Sequence, residues 1–200
     1  MISSRSELAR KLSKVKGFVQ PKLSLRQYVT PPAIASELLW TAYMNYDLEG
    51  RIVFDLGCGT GMLSIGASLL GAEVTGFDID SEAIKVAVMN AQELGVNIIV
   101  FETDIGKVKG FCHTVVMNPP FMVKGGKNDR VFLEKAFSLC ERVYSIHTSK
   151  TREWVKGFAE ENGFEPLLIS TRKFSLPHKF KHHEKLRAAQ QVDLWFFRKP

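Results

Sequence analysis

The chain has 200 residues, of which 45% are apolar, and it carries a formal net charge of +6. This length and apolar content suit one well-packed domain and leave no room for a second full domain beside it. No apolar run approaches the ~18 residues that cross a bilayer, and the start of the chain is polar and charged. We therefore expect neither a membrane anchor nor a secretion signal and predict a cytoplasmic protein.

The predicted elements begin with two helices. Apolar residues at helical spacing predict a helix over residues 6–15. A second helix is expected to begin at Pro31 or Pro32, because proline suits the first turn of a helix and Thr30 can cap it.

Two later helices have clear end signals. A helix over residues 82–94 is predicted, with Ser81 as its N-cap and Gly95 as its end. Asp80 and Glu82 are interpreted as acids that favour the first turn of this helix rather than as site residues. A helix from about Lys150 is expected to end at residues 162–163, an Asn-Gly pair.

Strands and helices alternate along the rest of the chain. Strands are predicted near residues 52–56, 73–78, 98–103, 114–118, 142–147, 164–175 and 192–198. With helices expected between the first six strands, the pattern predicts an α/β fold with a seven-stranded, mostly parallel sheet and helices on both faces. Because the last two strands lack an intervening helix, we predict that they pair antiparallel at one edge.

A glycine-rich turn follows the first predicted strand. Gly57, Gly59 and Gly61 allow backbone to approach a ligand or adopt positive φ, and the helix that follows presents unpaired N–H groups. The dinucleotide fingerprint requires Gly-x-Gly-x-x-Gly, but Met62 occupies the position of its last glycine. The spacing therefore argues against a dinucleotide site.

An acidic residue stands at the end of each of the first three predicted strands. Ligands of open α/β sheets lie beyond the carboxyl ends of the strands, where these residues fall. Asp55 suits the ammonium at the methionine end of S-adenosylmethionine, Asp78 its two ribose hydroxyls, and Asp104 its adenine amino group. We interpret the three acids together as cofactor ligands, with solvated strand ends as the alternative.

The tetrapeptide Asn118-Pro119-Pro120-Phe121 follows the fourth predicted strand. The exocyclic amine of a nucleobase is a poor nucleophile, because its lone pair is delocalised into the ring. The Asn118 side-chain oxygen and the Pro119 carbonyl can accept its hydrogens, since consecutive prolines have no N–H and a fixed φ. Phe121 offers a face for base stacking, worth roughly 1–3 kcal/mol. The motif predicts methyl transfer to an amino nitrogen, although Asn-Pro also opens ordinary turns.

The loop over residues 122–128 follows this motif and contains a double glycine. A loop of this kind can close over a target base, and Lys124 and Lys127 would then contact RNA. An ordinary flexible connection is an equally good interpretation.

Charge is distributed unevenly along the chain. Residues 1–26 hold seven Lys/Arg and one acid, residues 27–171 hold twelve and eighteen, and residues 172–200 hold eight and two, giving +6, −6 and +6. Two basic ends around an acidic centre suit a polyanionic substrate, although such runs are also found on solvated surfaces. The interleaving of bases and aromatics near the C-terminus favours RNA. The candidate RNA-binding residues there are Lys179, Phe180, Lys181, His183 and Lys185.

Cysteine and histidine patterns do not suggest a metal. Cys58, Cys112 and Cys140 are odd in number and far apart, which argues against a disulfide framework or a zinc site. The histidines near residue 180 lack carboxylate or cysteine ligands nearby, so we predict no metal site.

Together these motifs resemble the class I S-adenosylmethionine-dependent methyltransferases. Among them the chain is similar to the methyltransferase-like 5 group, which makes N6-methyladenosine in small-subunit ribosomal RNA. The similarity covers nearly the whole chain from about Leu25. It rests on Gln27-Tyr28-x-Thr30, Asp55-Leu56-Gly57-Cys58-Gly59, Leu63-Ser64-Ile65-Gly66, Gly76-Phe77-Asp78-Ile79-Asp80, Met117-Asn118-Pro119-Pro120-Phe121, Tyr144-Ser145-x-His147 and Val192-Asp193-Leu194.

The resemblance implies a single Rossmann-like domain over residues 1–200, in which residues 1–50 supply helices to the cofactor and RNA sites and residues 51–200 form the core. It implies S-adenosylmethionine as cofactor and RNA as substrate, with a small zinc-binding activator protein as a possible partner at a sheet edge. The cofactor site would comprise Gln27, Tyr28, Thr30, Asp55, Gly57, Gly59, Thr60, Gly61, Met62, Asp78, Ile79, Asp104, Ile105 and Asn118.

Two other functions are compatible with these motifs. A protein glutamine N5-methyltransferase uses a similar Asn-Pro-Pro motif that ends in tyrosine, so Phe121 and the basic ends count against it. A non-catalytic RNA-binding assembly factor would have no need of Asn118 or of the three strand-end acids. A DNA adenine methyltransferase is disfavoured, because the chain has no separate target-recognition domain.

Overall fold

The computed structural model describes residues 2–120, 127–175 and 189–200. Its strands are β1 (Ile52–Leu56), β2 (Glu73–Asp78), β3 (Ile98–Glu102), β4 (Thr114–Met117), β5 (Arg142–Thr148), β6 (Glu165–Ser175) and β7 (Ala189–Arg198). They form a single seven-stranded sheet in the order β3-β2-β1-β4-β5-β7-β6.

The strand directions confirm the predicted topology. Strands β1 to β5 are paired in parallel, whereas β7 runs antiparallel to both β5 and β6. The order reverses between β1 and β4, which places a switch point beside the ends of these two strands. A ligand crevice is expected there.

The helices are α1 (Arg5–Leu12), α2 (Pro32–Met44), α3 (Met62–Leu69), α4 (Ser81–Leu94), α5 (Lys127–Leu139) and α6 (Arg152–Glu161). The expectation of a helix between β3 and β4 was wrong. Residues 103–113 are all described, and they contain only the 3₁₀ turn Ile105–Lys107. The segment is short and includes Gly110 at φ +118°, a conformation that an α-helix cannot contain.

Two expected helix caps were also wrong. The N-cap of α4 is Asp80, whose carboxylate accepts the Glu82 N–H, while Ser81 is the first helical residue. The N-cap of α2 is Pro31, and Thr30 Oγ1 accepts a hydrogen bond from Asn118. Both changes matter for the site, because Asp80 and Thr30 have partners from distant parts of the chain.

The sheet separates two apolar cores. On one face, side chains of α1, α2 and α3 pack against the strands, including the fully buried Leu8, Leu38 and Ile65. On the other face, α5 and α6 contribute residues such as Leu133 and Phe158. Burial on both faces holds the central strands in place, so the loops at their carboxyl ends start from rigid positions.

None of the described helices combines the length and apolar character needed to cross a membrane.

Candidate active site

A cavity of about 330 Å³ opens at the carboxyl ends of the parallel strands, and a smaller compartment adjoins it. The larger compartment has the volume of a small-molecule site. Predicted residues lining it are Gln27, Tyr28, Gly57, Gly59, Asp78, Ile79, Asp104, Ile105, Asn118 and Pro120. Those lining the smaller compartment include Thr30, Asp55, Thr60 and Met62. Most of the predicted residues, although far apart in the sequence, are thus brought to one site; Gly61 lines neither compartment and lies against Ala87 and Ile65.

The glycine turn is shaped by neighbours on both sides. Gly57 has φ +76° and Gly59 has φ +52°, a region that residues with a Cβ rarely occupy. A Cβ on Gly57 would lie 3.1 Å from the Phe132 ring, and one on Gly59 would lie 3.0 Å from the Phe18 ring. At both positions glycine therefore allows a positive φ and lets an aromatic ring lie close to the backbone.

The first N–H groups of this turn are used within the protein. Those of Gly57 and Cys58 both donate to the Phe77 carbonyl, at 2.8 and 3.0 Å. The N–H of Gly59 donates to Asp78 Oδ2 at 2.8 Å. These bonds tie the turn to β2 and fix its path beside the cavity.

Asp55 lies at the inner end of the site, on β1. Its side chain is buried, and one carboxylate oxygen accepts a 2.6 Å hydrogen bond from the Ser64 hydroxyl. Burial raises the pKa of Asp55 to about 7, and the Ser64 bond offsets only part of this effect. A cation placed in the smaller compartment would favour the ionised form.

Asp78 and Asp104 lie at the other end of the site. Burial raises the pKa of Asp78, although its carboxylate accepts N–H bonds from Asp80 and Gly59. These bonds orient the carboxylate at the end of β2. Asp104 is exposed and caps the following 3₁₀ turn through a 2.7 Å bond from the Gly106 N–H.

An N-terminal segment, residues 16–30, borders the cavity. Gln27 lines the cavity, but its amide is bonded within the protein: Nε2 donates to Asp80 Oδ2 at 2.6 Å, and Oε1 accepts the Lys22 N–H at 2.8 Å. Lys22 also pairs with Asp80 at 2.5 Å. Although burial alone would raise its pKa, the bonds from Lys22 and Gln27 lower the pKa of Asp80. Asp80 is thus structural, as predicted, but it anchors this segment as well as the helix.

The segment is also fixed at its other end. Asn90, on α4, accepts the Lys16 N–H and donates to the carbonyls of Lys16 and Thr60, at 2.9–3.0 Å. Between these anchors Phe18 lines both compartments of the cavity.

Asn118 lies where the two compartments meet. Its Nδ2 donates to Thr30 Oγ1 at 2.8 Å, while its Oδ1 is buried and accepts no bond within the described parts of the chain. The Pro119 carbonyl lies 3.4 Å from the Tyr28 hydroxyl. Such a distance is long for an O–H···O bond, so the carbonyl keeps accepting capacity. The tetrapeptide thus keeps two acceptors with hydrogen-bonding capacity to spare; Asn118 and Pro120 line the cavity, whereas its lining does not include Pro119.

Sequence reasoning missed the walls of the site. Phe18, Val131 and Phe132 line the cavity, the first from the N-terminal segment and the others from α5. Phe18 carries a weak signal, since it is an aromatic outside any helical apolar pattern. The two residues of α5 have no signal beyond their place in the helix after the tetrapeptide.

Several predicted residues lie outside the described parts of the chain. These are Phe121, Lys124, Lys179, Phe180, Lys181, His183 and Lys185. Lys127 begins α5, but its side chain also lies outside them. Across the described residues, no group of three or more His, Cys, Asp or Glu side chains is arranged to hold a metal ion.

The residues present fit S-adenosylmethionine. Asp55 lines the smaller compartment, Asp78 lines the larger one and Asn118 lines both, so acidic side chains are available in both compartments for the ammonium and hydroxyl groups of this cofactor.

Known proteins resemble this chain in sequence and in fold. The family model of the ribosomal protein L11 methyltransferases matches residues 37–118. The chain is 38% identical to the rRNA N(6)-adenosine-methyltransferase METTL5 of Danio rerio, over 94% of this chain and 95% of that protein. The corresponding protein of Drosophila melanogaster is 37% identical over 96% and 94%.

A solved structure is similar over the same extent. It belongs to a candidate RNA methyltransferase from Pyrococcus horikoshii, with 41% identity, a TM-score of 0.88, and coverage of 100% of this chain and 98% of that one. Identity at this level over nearly the full length of the METTL5 proteins shows kinship rather than a shared fold alone. The chain belongs to the METTL5 family of S-adenosylmethionine-dependent rRNA N6-adenosine methyltransferases.

Proposed function

We propose that this chain transfers a methyl group from S-adenosylmethionine to N6 of an adenosine in small-subunit ribosomal RNA. The buried Oδ1 of Asn118, which accepts no hydrogen bond from the described residues, supports this most directly. A buried acceptor without a partner is costly, commonly about 1–3 kcal/mol, and a substrate amine would satisfy it.

We further propose that residues 1–200 act as one domain, since α1 and α2 pack into the same apolar core as the sheet.

The cofactor supplies an activated methyl group on a sulfonium. In the transfer the S–CH₃ bond breaks and an N–CH₃ bond forms, leaving a neutral thioether, and the displaced amine proton passes to solvent. Asn118 Oδ1 and the Pro119 carbonyl would each accept one amine hydrogen. This pulls the nitrogen lone pair out of conjugation, toward the methyl group. Phe121 would stack on the adenine.

Each of the three acids would hold a different part of the cofactor. Asp78 would accept the ribose hydroxyls, Asp104 the adenine amino group, and Asp55 would pair with the ammonium. The cofactor ligands are thus proposed at both ends of the site, with the reacting atoms between them near Asn118.

Protein methylation is the second candidate, supported by the match to the L11 methyltransferase model. That match covers residues 37–118 and ends at Asn118. It therefore spans β1 to β4 and the cofactor half of the site, and carries little information on the substrate. The basic ends of the chain favour RNA as the substrate.

One experiment separates these functions. The protein is incubated with unmodified small-subunit RNA and cofactor labelled in the methyl group, and the RNA is digested to nucleosides. We expect labelled N6-methyladenosine. Labelled N5-methylglutamine in a parallel reaction with a release factor would instead favour protein methylation. If the cofactor binds but no label is transferred to RNA or protein, either by the chain alone or together with the zinc-binding activator proposed below, the chain would be a non-catalytic RNA-binding factor.

We propose that the β3 edge of the sheet receives a small zinc-binding activator. Strand β3 is an edge strand, and Ile99 and Phe101 on it are 59% and 53% exposed. Phe111, in the following loop, is 69% exposed. Exposed apolar side chains beside unpaired strand N–H and C=O groups suit a partner that adds a strand to the sheet.

Charge substitution tests this partner surface. Ile99→Asp with Phe101→Asp should abolish co-purification of a co-expressed zinc-binding candidate. Leu168→Asp, which places one charge on an exposed residue of β6, is the control and should retain it, because β6 is the opposite edge of the sheet. Retention by the β3 variant would exclude this edge.

We also propose that the protein acts in the cytoplasm, consistent with three free, buried cysteines.

A further inference from the structure

The side chain of Thr30 touches the reacting motif rather than capping the helix that follows it. Thr30 is 5% exposed, and its Oγ1 accepts the Nδ2 hydrogen bond of Asn118 at 2.8 Å. The two residues are 88 positions apart in the sequence. A buried side-chain bond between such distant segments fixes the geometry of both ends.

The amide of Asn118 has two ends of nearly equal size and opposite chemistry. One end is a carbonyl oxygen that accepts hydrogen bonds, and the other is an NH₂ group with two donors. Only the orientation with the oxygen toward the cavity can polarise an amine. Rotating the amide by half a turn would aim donors at an amine that is itself a donor, and would remove the attraction on which the chemistry depends.

We propose that Thr30 is a positioning residue for methyl transfer: by accepting the Asn118 NH₂ group, it holds Asn118 Oδ1 toward the substrate amine. This inference rests on the proposed function. It assigns Thr30 a role different from the cofactor contact that family resemblance implies. The supporting observation is that Nδ2 of this buried amide donates to Thr30, while Oδ1 has no partner among residues 2–120, 127–175 and 189–200.

A neighbour two residues earlier supports the same arrangement. Tyr28 and Thr30 belong to one non-helical segment, and the Tyr28 hydroxyl lies 3.4 Å from the Pro119 carbonyl. Tyr28 also packs edge-on against the fully buried Phe174, with ring centroids 5.4 Å apart. The segment is therefore held by the core while its two side chains face consecutive residues of the motif.

The test compares two substitutions of similar shape. Thr30→Val removes the acceptor, and Thr30→Ser keeps it. For Thr30→Val we expect kcat to fall roughly 10- to 100-fold, the scale of leaving a buried donor without its partner. The KM for RNA and the calorimetric dissociation constant for S-adenosylmethionine should stay within about twofold. Thr30→Ser should keep kcat within about threefold of wild type.

A double-mutant cycle decides whether Thr30 acts through Asn118. In an Asn118→Ala background, Thr30→Val should cause no further loss of kcat, because there is no amide left to orient. An additive loss would overturn the proposal and indicate a general structural role. A weaker cofactor dissociation constant with normal kcat at saturation would also overturn it, and would make Thr30 a cofactor ligand.

Failure of this inference can be told apart from failure of the proposed function. If wild-type protein makes no N6-methyladenosine, the proposed function fails, whatever the variants do. If wild-type protein is active and Thr30→Val is equally active, only the positioning role fails. Thermal unfolding of each variant checks that it is folded, so a loss of kcat cannot be confused with unfolding.

Discussion

The Ser64 hydroxyl donates a 2.6 Å hydrogen bond to the buried carboxylate of Asp55, which links β1 to the helix that follows the glycine turn. Asp55 is 1% exposed, and burial raises its pKa to about 7. An acid of this kind costs stability when it ionises without a cation beside it. We interpret that cost as the consequence of preparing a site for the ammonium group of the cofactor.

The first prediction follows from the sign of this shift. A raised pKa means that the folded state binds the Asp55 proton more tightly than the unfolded state. The contribution of Asp55 to stability is therefore complete below about pH 4 and is lost as the pH rises to about 7. The difference between the ordinary pKa of 3.8 and the raised pKa of about 7 corresponds to roughly 4 kcal/mol in the free energy of unfolding. Asparagine cannot ionise, so Asp55→Asn should not lose stability as the pH rises. Without cofactor, this variant should therefore unfold at a higher denaturant concentration than wild type at pH 8.

The same variant should bind the cofactor more weakly, because asparagine has no charge for the ammonium. Denaturant unfolding at pH 5 and pH 8 measures the first effect, and calorimetry measures the second. Glu102→Gln, at an exposed acid that ends β3, serves as the control and should change neither. Equal stability of Asp55→Asn and wild type at pH 8 would contradict the prediction.

The second prediction concerns Asp78. If its carboxylate accepts both ribose hydroxyls, Asp78→Ala loses two charge-assisted bonds of roughly 1.5–3 kcal/mol each and should weaken cofactor binding at least tenfold. The N–H groups of Gly59 and Asp80 also lose their acceptor, so the glycine turn becomes less fixed.

The control for Asp78 is Glu82→Ala. Glu82 is an exposed acid nearby, and its side chain pairs with Lys85. Calorimetry should give a wild-type dissociation constant for this control. A folded Asp78→Ala protein with an unchanged dissociation constant would remove Asp78 from the site.

Local patterns were enough to predict much of the fold and the site. Apolar runs predicted every strand, and the absence of a helix signal between the last two strands predicted their antiparallel pairing. Asp55, Asp78 and Asn118 could be identified because each stands at a strand end, and parallel strand ends meet on one side of a sheet.

Contacts between distant segments could not be predicted in this way. Phe18 packs against Gly59, and Lys22 and Gln27 bind Asp80, although 53 to 58 residues separate the latter partners. No periodicity or spacing encodes such pairs. The prediction that Thr30 caps α2 was wrong for the same reason. Its hydroxyl bonds to Asn118, in the loop that follows β4, and not to the nearby backbone.

The third prediction concerns the chemistry at Asn118. Asn118→Ala should leave the cofactor dissociation constant within a few-fold, while single-turnover methylation falls on the order of 10²–10³, the usual scale for losing one preorganised polar group at a reacting centre. Rates are measured at saturating RNA and cofactor. Asn97→Ala, at an exposed asparagine just before β3, is the control and should react normally. Near-normal turnover by Asn118→Ala would refute the amine-polarising role.

The last prediction concerns the basic C-terminal segment with Lys179, Lys181 and Lys185. If these lysines contact phosphates, each contact releases condensed counterions, and for single-stranded RNA the slope of log affinity against log salt changes by about 0.7 per contact. Replacing all three with alanine should flatten the slope by roughly 2 and leave cofactor binding intact. Phe180→Ala should instead weaken binding with little change in slope, because stacking releases no ions.

A second triple variant controls for the change in net charge. Lys85, Lys156 and Lys199 are exposed and lie on α4, on α6 and beyond β7, respectively. Their replacement with alanine alters the formal charge equally and should leave the slope close to wild type, since only neutralised phosphate contacts release counterions. RNA binding is titrated at several salt concentrations for each protein. If the Lys179, Lys181 and Lys185 variant keeps the wild-type slope, that segment is a solvated surface, and the RNA path would lie over the basic N-terminal residues 5–26.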